Sequence, residues 1–301
     1  MKMADRAPFV SFLSDYGHSD EFVGVCHAVM LDIAPDLRIV DVTHEIPAFD
    51  VRAGALALVR AVQYLPEGIV LAVVDPGVGT DRRCIAVEVE NAVLVGPDNG
   101  LLAPAVAMLG GPLCVHELTS GEYRLAAPGP TFAGRDVMAP AAAHLATGVP
   151  IAALGPAIDP VTLTPALVPL PDDEGDGRIV GEVLWVDRFG NCQLNIAPEQ
   201  LDAAGAHEGD PLEVTVSDAA GVRAARRARR VRAFADAKPS ELVVLVDSYG
   251  MCALALDRRS AAAELGVRAG SAVTVAVEGS GAVAPGDPAV PVRLGRGETR
   301  R

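Results

Sequence analysis

The apolar pattern of the chain changes once, and this change limits the folds that it can adopt. The first half contains five apolar runs typical of strands, at 9–13, 38–42, 68–74, 84–89 and 92–96. Apolar residues recur with helical spacing between the first two runs and over 51–65, and a third helix is expected to begin near Asp136. Strands that alternate with helices predict an α/β domain with ligand-binding loops at the strand ends.

The second half has a different pattern. Residues 166–178, ALVPLPDDEGDGR, have the Pro, Gly and acidic content of a linker. Short alternating segments with little helix between them follow at 182–187, 211–216, 242–248, 252–257 and 272–277. This pattern predicts a small β-barrel or sandwich. We therefore expect domains at 1–165 and 179–278, a linker at 166–178 and a disordered tail, rich in Gly, Pro and Arg, at 279–301.

Composition excludes several functional classes. The chain has 301 residues, half of them hydrophobic, but no uninterrupted apolar run of membrane-spanning length, and MKMADRAPFV lacks a signal-peptide core. We therefore expect a cytoplasmic protein without a membrane partner. The net charge of −14 disfavours nucleic acid, and the basic run at 226–232 is typical of a solvated face or strand edge. The five cysteines are isolated in the sequence, which predicts free thiols. The sequence contains no CxxC or HxxxH spacing, so we expect no metal site.

The functional signal is a series of polar clusters that follow the apolar strands. In chain order these are SDYG (14–17), DVTHEIP (41–47), DPGVGTDRR (75–83), GPDNG (96–100), TFAGRD (131–136), DRFGN (187–191) and DSYG (247–250). Each alone is an ordinary turn with Gly for positive φ and Asp or Asn for side-chain capping. An Asp75–Arg82 pair alone would be a strand-end salt bridge that closes a Gly turn. The number and placement of the clusters instead indicate a binding site.

The same clusters, in this order and spacing, resemble those of the S-adenosyl-L-methionine (SAM) hydroxide adenosyltransferases, or SAM hydrolases. These are relatives of the fluorinating and chlorinating enzymes that use the same substrate. The resemblance runs from about residue 8 to residue 277. It implies an α/β domain with a central mixed sheet, a smaller C-terminal β-barrel and a homotrimer that binds SAM between the N-terminal domain of one subunit and the C-terminal domain of its neighbour. It also implies release of adenosine and L-methionine without a metal or redox cofactor.

The resemblance assigns the chemistry to the DPGVGTDRR cluster. Asp75 would accept a hydrogen bond from the attacking water, and Arg82 would orient Asp75 and favour hydroxide character. Asp75 is thus expected to position the nucleophile more than to accept its proton. The hydrolases have a histidine in TFHGRD, whereas this chain has Ala133 at that place. His44 could substitute for it, or it could be a structural histidine at a strand end.

The resemblance also assigns substrate contacts. Asp15 would bridge the ribose hydroxyls, and Phe49 would lie against the substrate. Asp187 and Asn191 would hold the methionine ammonium group and the adenine edge, and Ser248 would bind the methionine carboxylate. Tyr249 follows Ser248 where the halogenases often have an arginine, so carboxylate binding would rest more on backbone N–H groups. The weaker candidates are Asp20 and the chain from Leu256 to Arg258, which would act through the main chain.

Two other functions stay open at this point. A halide adenosyltransferase would transfer the same group, but the halogenases have Tyr in place of Asp75, and the fluorinating enzyme has Ser in place of Gly134. A carboxylate beside the nucleophile would also repel a halide. The other alternative is a protein that binds SAM or adenosine without turnover, which Ala133 alone supports.

Overall fold

The computed structural model describes residues 8–166, 168–218 and 221–279. These residues form two compact units that divide after Val168. The tail expected at 279–301 lies outside the described residues except for Gly279. Among the described residues, no helix is long and apolar enough to cross a membrane.

The N-terminal unit is built on a six-stranded mixed sheet with the strand order β2-β1-β3-β5-β4-β6. Its strands are β1 Phe9–Ser14, β2 Arg38–Thr43, β3 Gly68–Val73, β4 Cys84–Glu88, β5 Ala92–Pro97 and β6 Cys114–Glu117. Strands β2, β1, β3 and β5 are mutually parallel, whereas β4 is antiparallel to both of its neighbours. The expected α/β domain with a mixed sheet is confirmed.

Helices cover both faces of this sheet. They are α1 Phe22–Ile33, α2 Val51–Val62, α3 Ala103–Met108 and α4 Ala139–Ala146, and the last is preceded by a π-helical turn at Gly134–Met138. Alternate residues of β3 pack into two cores: Leu71 contributes to the core with α1 and α4, and Val70 to the core with α2 and α3. This two-sided burial explains why β3 is a continuous apolar run.

The C-terminal unit is a closed barrel of seven strands. Its strands are β8 Arg178–Val186, β9 Cys192–Leu194, β10 Pro211–Asp218, β11 Gly221–Arg230, β12 Leu242–Val246, β13 Cys252–Leu256 and β14 Ala272–Val277, with β7 Asp172–Gly175 paired to β8 outside the ring. Pairing of β14 with β8 closes the ring, so the barrel rather than the sandwich is correct. The helices α5 Pro198–Ala203 and α6 Ala261–Leu265 connect strands.

Two expectations need correction. The linker expected at 166–178 contains β7, which pairs antiparallel with the start of β8 as a hairpin. The basic run at 226–232, expected on a solvated face or at a strand edge, has exposed arginines such as Arg227 but is not at a sheet edge, because β11 pairs with β10 on one side and β12 on the other. Its arginines form ion pairs with carboxylates, such as Arg229 with Glu241 at 2.8 Å.

All five cysteines are free thiols, four of them buried and Cys114 half-buried.

The two glycines of the N-terminal helices test how tightly the sheet is covered. A Cβ at Gly54 of α2 would lie 2.8 Å from Leu101 Cδ1 and 2.9 Å from Val74 Cγ2, whereas a Cβ at Gly24 of α1 would meet nothing within 4 Å. We expect Gly24→Ala to raise the free energy of unfolding by about 0.5–1 kcal/mol through helix propensity. Gly54→Ala should lower it, because overpacking costs about 1–3 kcal/mol.

Urea unfolding of both variants measures these changes. An equal gain in stability for the two variants would contradict the tight packing of α2 against Val74 and Leu101.

Candidate active site

The topology brings several polar clusters to one edge of the N-terminal sheet. Asp15, His44 and Asp75 follow the parallel strands β1, β2 and β3, so they lie beyond the carboxyl ends of these strands. Because β4 runs in the opposite direction, Arg82 just before it lies at the same edge. Ligands of open α/β sheets bind at this edge.

Asp75 and Arg82 form a bidentate, nearly buried ion pair. Arg82 donates from Nε to Asp75 Oδ1 at 2.7 Å and from Nη2 to Asp75 Oδ2. The side chains are only 6% and 13% exposed, respectively. Burial, the largest single effect, lowers the pKa of Arg82, but the hydrogen bonds and charge attraction of Asp75 and Cys84 together outweigh it, so the pKa is raised. Arg82 also donates from Nη1 to Cys84 Sγ at 2.7 Å, so its plane is fixed from two sides.

The Gly-rich loop between the two residues makes this approach possible. Gly79 has φ of +82°, which a side chain rarely adopts, and the Thr80 hydroxyl donates to the Gly77 carbonyl at 2.7 Å. At the start of the loop, Asn99 donates to the Val74 carbonyl at 2.9 Å. The end of β3 is therefore held while the chain turns back toward β4.

The ion pair separates two cavities. Asp75 lines the first, of about 470 Å³, together with Asp15, Tyr16, Phe49, Phe132 and Ala133. Arg82 lines the second, of about 570 Å³, with Arg124 and Glu117. Ala133 lines both cavities. The small side chain of Ala133 therefore leaves space next to the ion pair, at the position where the resemblance places a histidine.

Asp15 is the second carboxylate of the first cavity. Asp15 Oδ2 accepts a hydrogen bond from the Phe49 backbone N–H at 2.9 Å. Burial raises the pKa of Asp15, and the nearby Asp75 raises it further, whereas the Phe49 hydrogen bond lowers it. Phe49 has φ of +68° and its side chain is 72% exposed at the rim. The Asp15 contact supports this strained backbone.

Three aromatic rings that were not singled out from the sequence form one wall of the first cavity. Tyr16, Phe22 and Phe132 line it, with ring centroids 5.2–5.8 Å apart. A Cβ at Gly134 would lie 1.9 Å from the Tyr16 hydroxyl, so a larger residue there requires the Tyr16 side chain to move. Tyr16 and Phe132 lie inside the quoted clusters SDYG and TFAGRD, and this placement was the only sequence signal for them.

His44 does not take the place of the missing histidine. Its Nδ1 bonds the Ser14 hydroxyl at 2.7 Å and its Nε2 bonds Asp41 Oδ1 at 3.0 Å, and the residue is fully buried. It does not line the first cavity, and burial lowers its pKa. These contacts favour the structural interpretation of His44. Asp20 is exposed and also lies outside the lining of this cavity.

In the C-terminal unit, two of the predicted clusters form the same turn. Asp187 Oδ1 accepts from the backbone N–H of Phe189 and Asn191, both at 2.8 Å, and Asp247 Oδ1 accepts from the corresponding N–H groups of Tyr249 and Met251. The Asn191 amide donates to Asp187 Oδ2 at 2.8 Å. Asp247, which the sequence did not single out, thus positions Ser248 and Tyr249.

The remaining candidates lie at the end of β13 and just beyond it. The Leu256 side chain is 5% exposed and belongs to the barrel core, so only its main chain can contact a ligand. Arg258 has φ of +53° and a side chain that is 93% exposed. Close by, the Gly190 carbonyl accepts from the Ala262 N–H at 3.0 Å, which ties the Asp187 turn to α6.

Comparison with known proteins gives one family for both units. Residues 10–155 match the SAM hydroxide adenosyltransferase N-terminal domain, and residues 181–274 match the C-terminal domain. An (R)-S-adenosyl-L-methionine hydrolase of Salinispora tropica is 47% identical over 89% of this chain and 97% of its own length. A fluorinase of Actinoplanes sp. is 30% identical over 90% of this chain and 98% of its own length.

A solved structure agrees with this result. The crystal structure of an uncharacterized conserved protein from Thermotoga maritima, 32% identical, covers 89% of this chain and 99% of its own with a TM-score of 0.81. Both family models, the close relative and the similar structure cover the two units that carry the polar clusters. The chain therefore belongs to the SAM hydroxide adenosyltransferase family.

Proposed function

We propose that this protein hydrolyses SAM to adenosine and L-methionine by in-line attack of water or hydroxide on the ribose C5′. The observation that carries the proposal is the Asp75–Arg82 pair, whose carboxylate lines a cavity of about 470 Å³. The similarity to the Salinispora (R)-S-adenosyl-L-methionine hydrolase supports the same reaction.

The reaction needs little more than a correctly placed nucleophile. A sulfonium is a good leaving group, so catalysis consists mainly of holding the water in line with the C5′–S bond. Both Asp75 oxygens bond Arg82, but each carboxylate oxygen has a second lone pair that can accept from water. The bidentate contact fixes the plane of the carboxylate and hence the position of the water.

The bonds and charges balance without a cofactor. The water oxygen forms a bond to C5′ as the C5′–S bond breaks, and the electron pair of the broken bond neutralises the sulfonium to the thioether of methionine. The extra proton of the water passes to solvent, and Arg82 stabilises the hydroxide character that develops. The absence of a metal or redox cofactor stays part of the proposal.

The first cavity suits the ribose and the sulfonium. Asp15, half-buried beside the cavity, would accept hydrogen bonds from the two ribose hydroxyls. The faces of Tyr16, Phe22 and Phe132 would attract the positive sulfonium by cation–π interaction. Phe49 at the exposed rim would cover the substrate.

The C-terminal barrel would supply the remaining substrate contacts. Asp187, Asn191, Ser248 and Tyr249 would hold the methionine and adenine ends, with main-chain help from Asp20, Leu256 and Arg258. These contacts would come from a neighbouring subunit of a homotrimer. Their support is the order of the clusters in the sequence, and the homotrimer and the cytoplasmic location stay predictions.

Incubation of the protein with SAM, followed by chromatography, tests the proposal. Adenosine and methionine should appear in equal amounts. Tight SAM binding without products would favour a binding protein, and 5′-halo-5′-deoxyadenosine formed in chloride or fluoride would favour halide transfer. The Asp75 carboxylate disfavours the halide reaction because it repels an anion in a nearly dry site.

Substitution of Asp75 tests the role of the ion pair. Asp75→Asn should lower kcat by about 100-fold or more while SAM still binds, since Asp75 contacts the nucleophile and not the bulk of the substrate. Asp98→Asn is the matched control: the Asp98 side chain is as buried as that of Asp75 and also pairs with an arginine, Arg83, but it lines a different cavity. Steady-state kinetics and calorimetric SAM binding measure both effects. Lost affinity with unchanged kcat in Asp75→Asn would contradict the assigned role.

Substitution of Asp15 should act on binding instead. Asp15→Ala removes a charge-assisted acceptor worth about 1.5–3 kcal/mol, so the Kd for SAM should rise by about 10–150-fold. Asp36→Ala removes an exposed carboxylate outside the cavity and should leave Kd unchanged. Titration calorimetry compares the two variants, and equal Kd values would remove Asp15 from the site.

Restoring the histidine tests the space at position 133. Ala133→His should raise the hydrolysis rate, because an imidazole there can hydrogen-bond the water, and positioned acid–base groups contribute about 10²–10⁴-fold. We expect the low end of this range or less, since a good leaving group requires little proton removal. The cavities on both sides of Ala133 give the ring room.

Ala127→His, which adds an imidazole to the second cavity only, is the control for the Ala133 variant. Kinetics and thermal melting are measured on both proteins. A destabilised Ala133→His protein without a rate gain would show that the site is packed for a methyl group.

A further inference from the structure

We propose that His27, Asp41 and His44 form a binding site for a divalent transition-metal cation of borderline softness, such as Zn²⁺. The Nε2 atoms of both histidines lie next to one carboxylate oxygen, Asp41 Oδ1, at 2.9 Å for His27 and 3.0 Å for His44. The three potential ligand atoms all lie within 4.8 Å of one another. None of the three residues lines the first cavity, so the site is separate from the proposed catalytic centre.

The spacing of these atoms suits an ion. Zn²⁺ binds histidine nitrogen at about 2.0–2.1 Å and carboxylate oxygen at about 2.0–2.2 Å. Two ligands at such distances lie about 2.9–3.4 Å apart for angles between 90° and 109°. The two observed nitrogen–oxygen separations fall in this range, so an ion could enter with small side-chain shifts and replace the Nε2 protons.

The donor set selects the class of ion. Two imidazole nitrogens and one carboxylate oxygen suit Zn²⁺, Co²⁺ or Ni²⁺, whereas Mg²⁺ and Ca²⁺ prefer oxygen ligands alone. The site is also open on one side: the side chain of His44 is fully buried, but those of His27 and Asp41 are 27% and 41% exposed. Water can therefore complete the coordination.

An outer contact holds His44 in the orientation that the ion requires. The Ser14 hydroxyl bonds His44 Nδ1 at 2.7 Å, which leaves Nε2 directed at Asp41. Such second-shell bonds orient metal-binding histidines generally. In addition, the Tyr16 N–H donates to Ser14 Oγ at 3.3 Å and the Gly17 N–H to the His44 carbonyl at 2.8 Å.

These contacts give the ion a structural role. It would join α1, which carries His27, to the end of β2, which carries Asp41, and so stabilise His44 and the loop that carries Asp15 and Tyr16. Short-range spacing could not predict the site, because its ligands come from two elements that only the fold brings together. The expectation of no metal site rested on such spacing alone.

Titration calorimetry with Zn²⁺ on tag-free protein tests the site. We expect one equivalent bound per chain, and a Kd that is weaker by more than about 100-fold in His27→Ala, since even outer-shell contacts contribute about 10–100-fold. His27 is partly exposed, so this variant should fold. His207→Ala is the matched control, because His207 also lies beside a carboxylate, Asp202 at 3.7 Å, but has no second imidazole there.

Two further measurements separate this site from adventitious binding to cysteines. The visible spectrum of the Co²⁺ complex should lack thiolate charge-transfer bands, and Zn²⁺ should raise the melting temperature of the wild-type and His207→Ala proteins but not of His27→Ala. Equal Zn²⁺ affinity in His27→Ala and the wild type, or thiolate bands in the Co²⁺ spectrum, would overturn the proposal.

Discussion

The bidentate contact between Asp75 and Arg82 depends on the direction of two strands. Asp75 follows β3, and Arg82 precedes β4, which is antiparallel to its neighbours in the mixed sheet. If β4 were parallel, Arg82 would enter it at the opposite edge. The strand β5 lies between β3 and β4, so the glycine-rich loop must cross its end, where Asn99 holds the Val74 carbonyl. The reversed strand therefore creates the pair that divides the two cavities.

The wall beside this pair is set by residue size at two adjacent positions. Gly134 admits the Tyr16 hydroxyl, and Ala133 leaves a gap that opens to both cavities. A side chain at 134 would displace the Tyr16 ring, whereas a larger residue at 133 would extend into open space. A larger side chain therefore requires the Tyr16 side chain to move at position 134, but meets open space at position 133, immediately before the helical turn.

Local sequence patterns predicted the elements whose residues are set by burial or by turn capping. They did not predict the elements whose position depends on pairing between distant segments. The strand at Gly68–Val73 is buried on both faces, so its apolar run was sufficient. Strand β11, GVRAARRARR, has no apolar alternation from which a strand could be predicted. Its exposed arginines form ion pairs, and its place is fixed by pairing with β10 and β12. Likewise, Asp75 and Asp15 could be predicted at strand ends, but the clustering of Tyr16, Phe22 and Phe132 arises from separate segments.

The two matching turns of the barrel show how a rigid frame can present variable side chains. In each turn the aspartate carboxylate accepts two backbone N–H groups, and a glycine with positive φ, Gly190 or Gly250, closes the loop. These residues are used to hold the backbone, so the positions between them are free to differ. One turn presents the exposed Phe189, and the other presents Tyr249 next to Ser248. Ligand contacts from these turns can therefore change without loss of the turn itself.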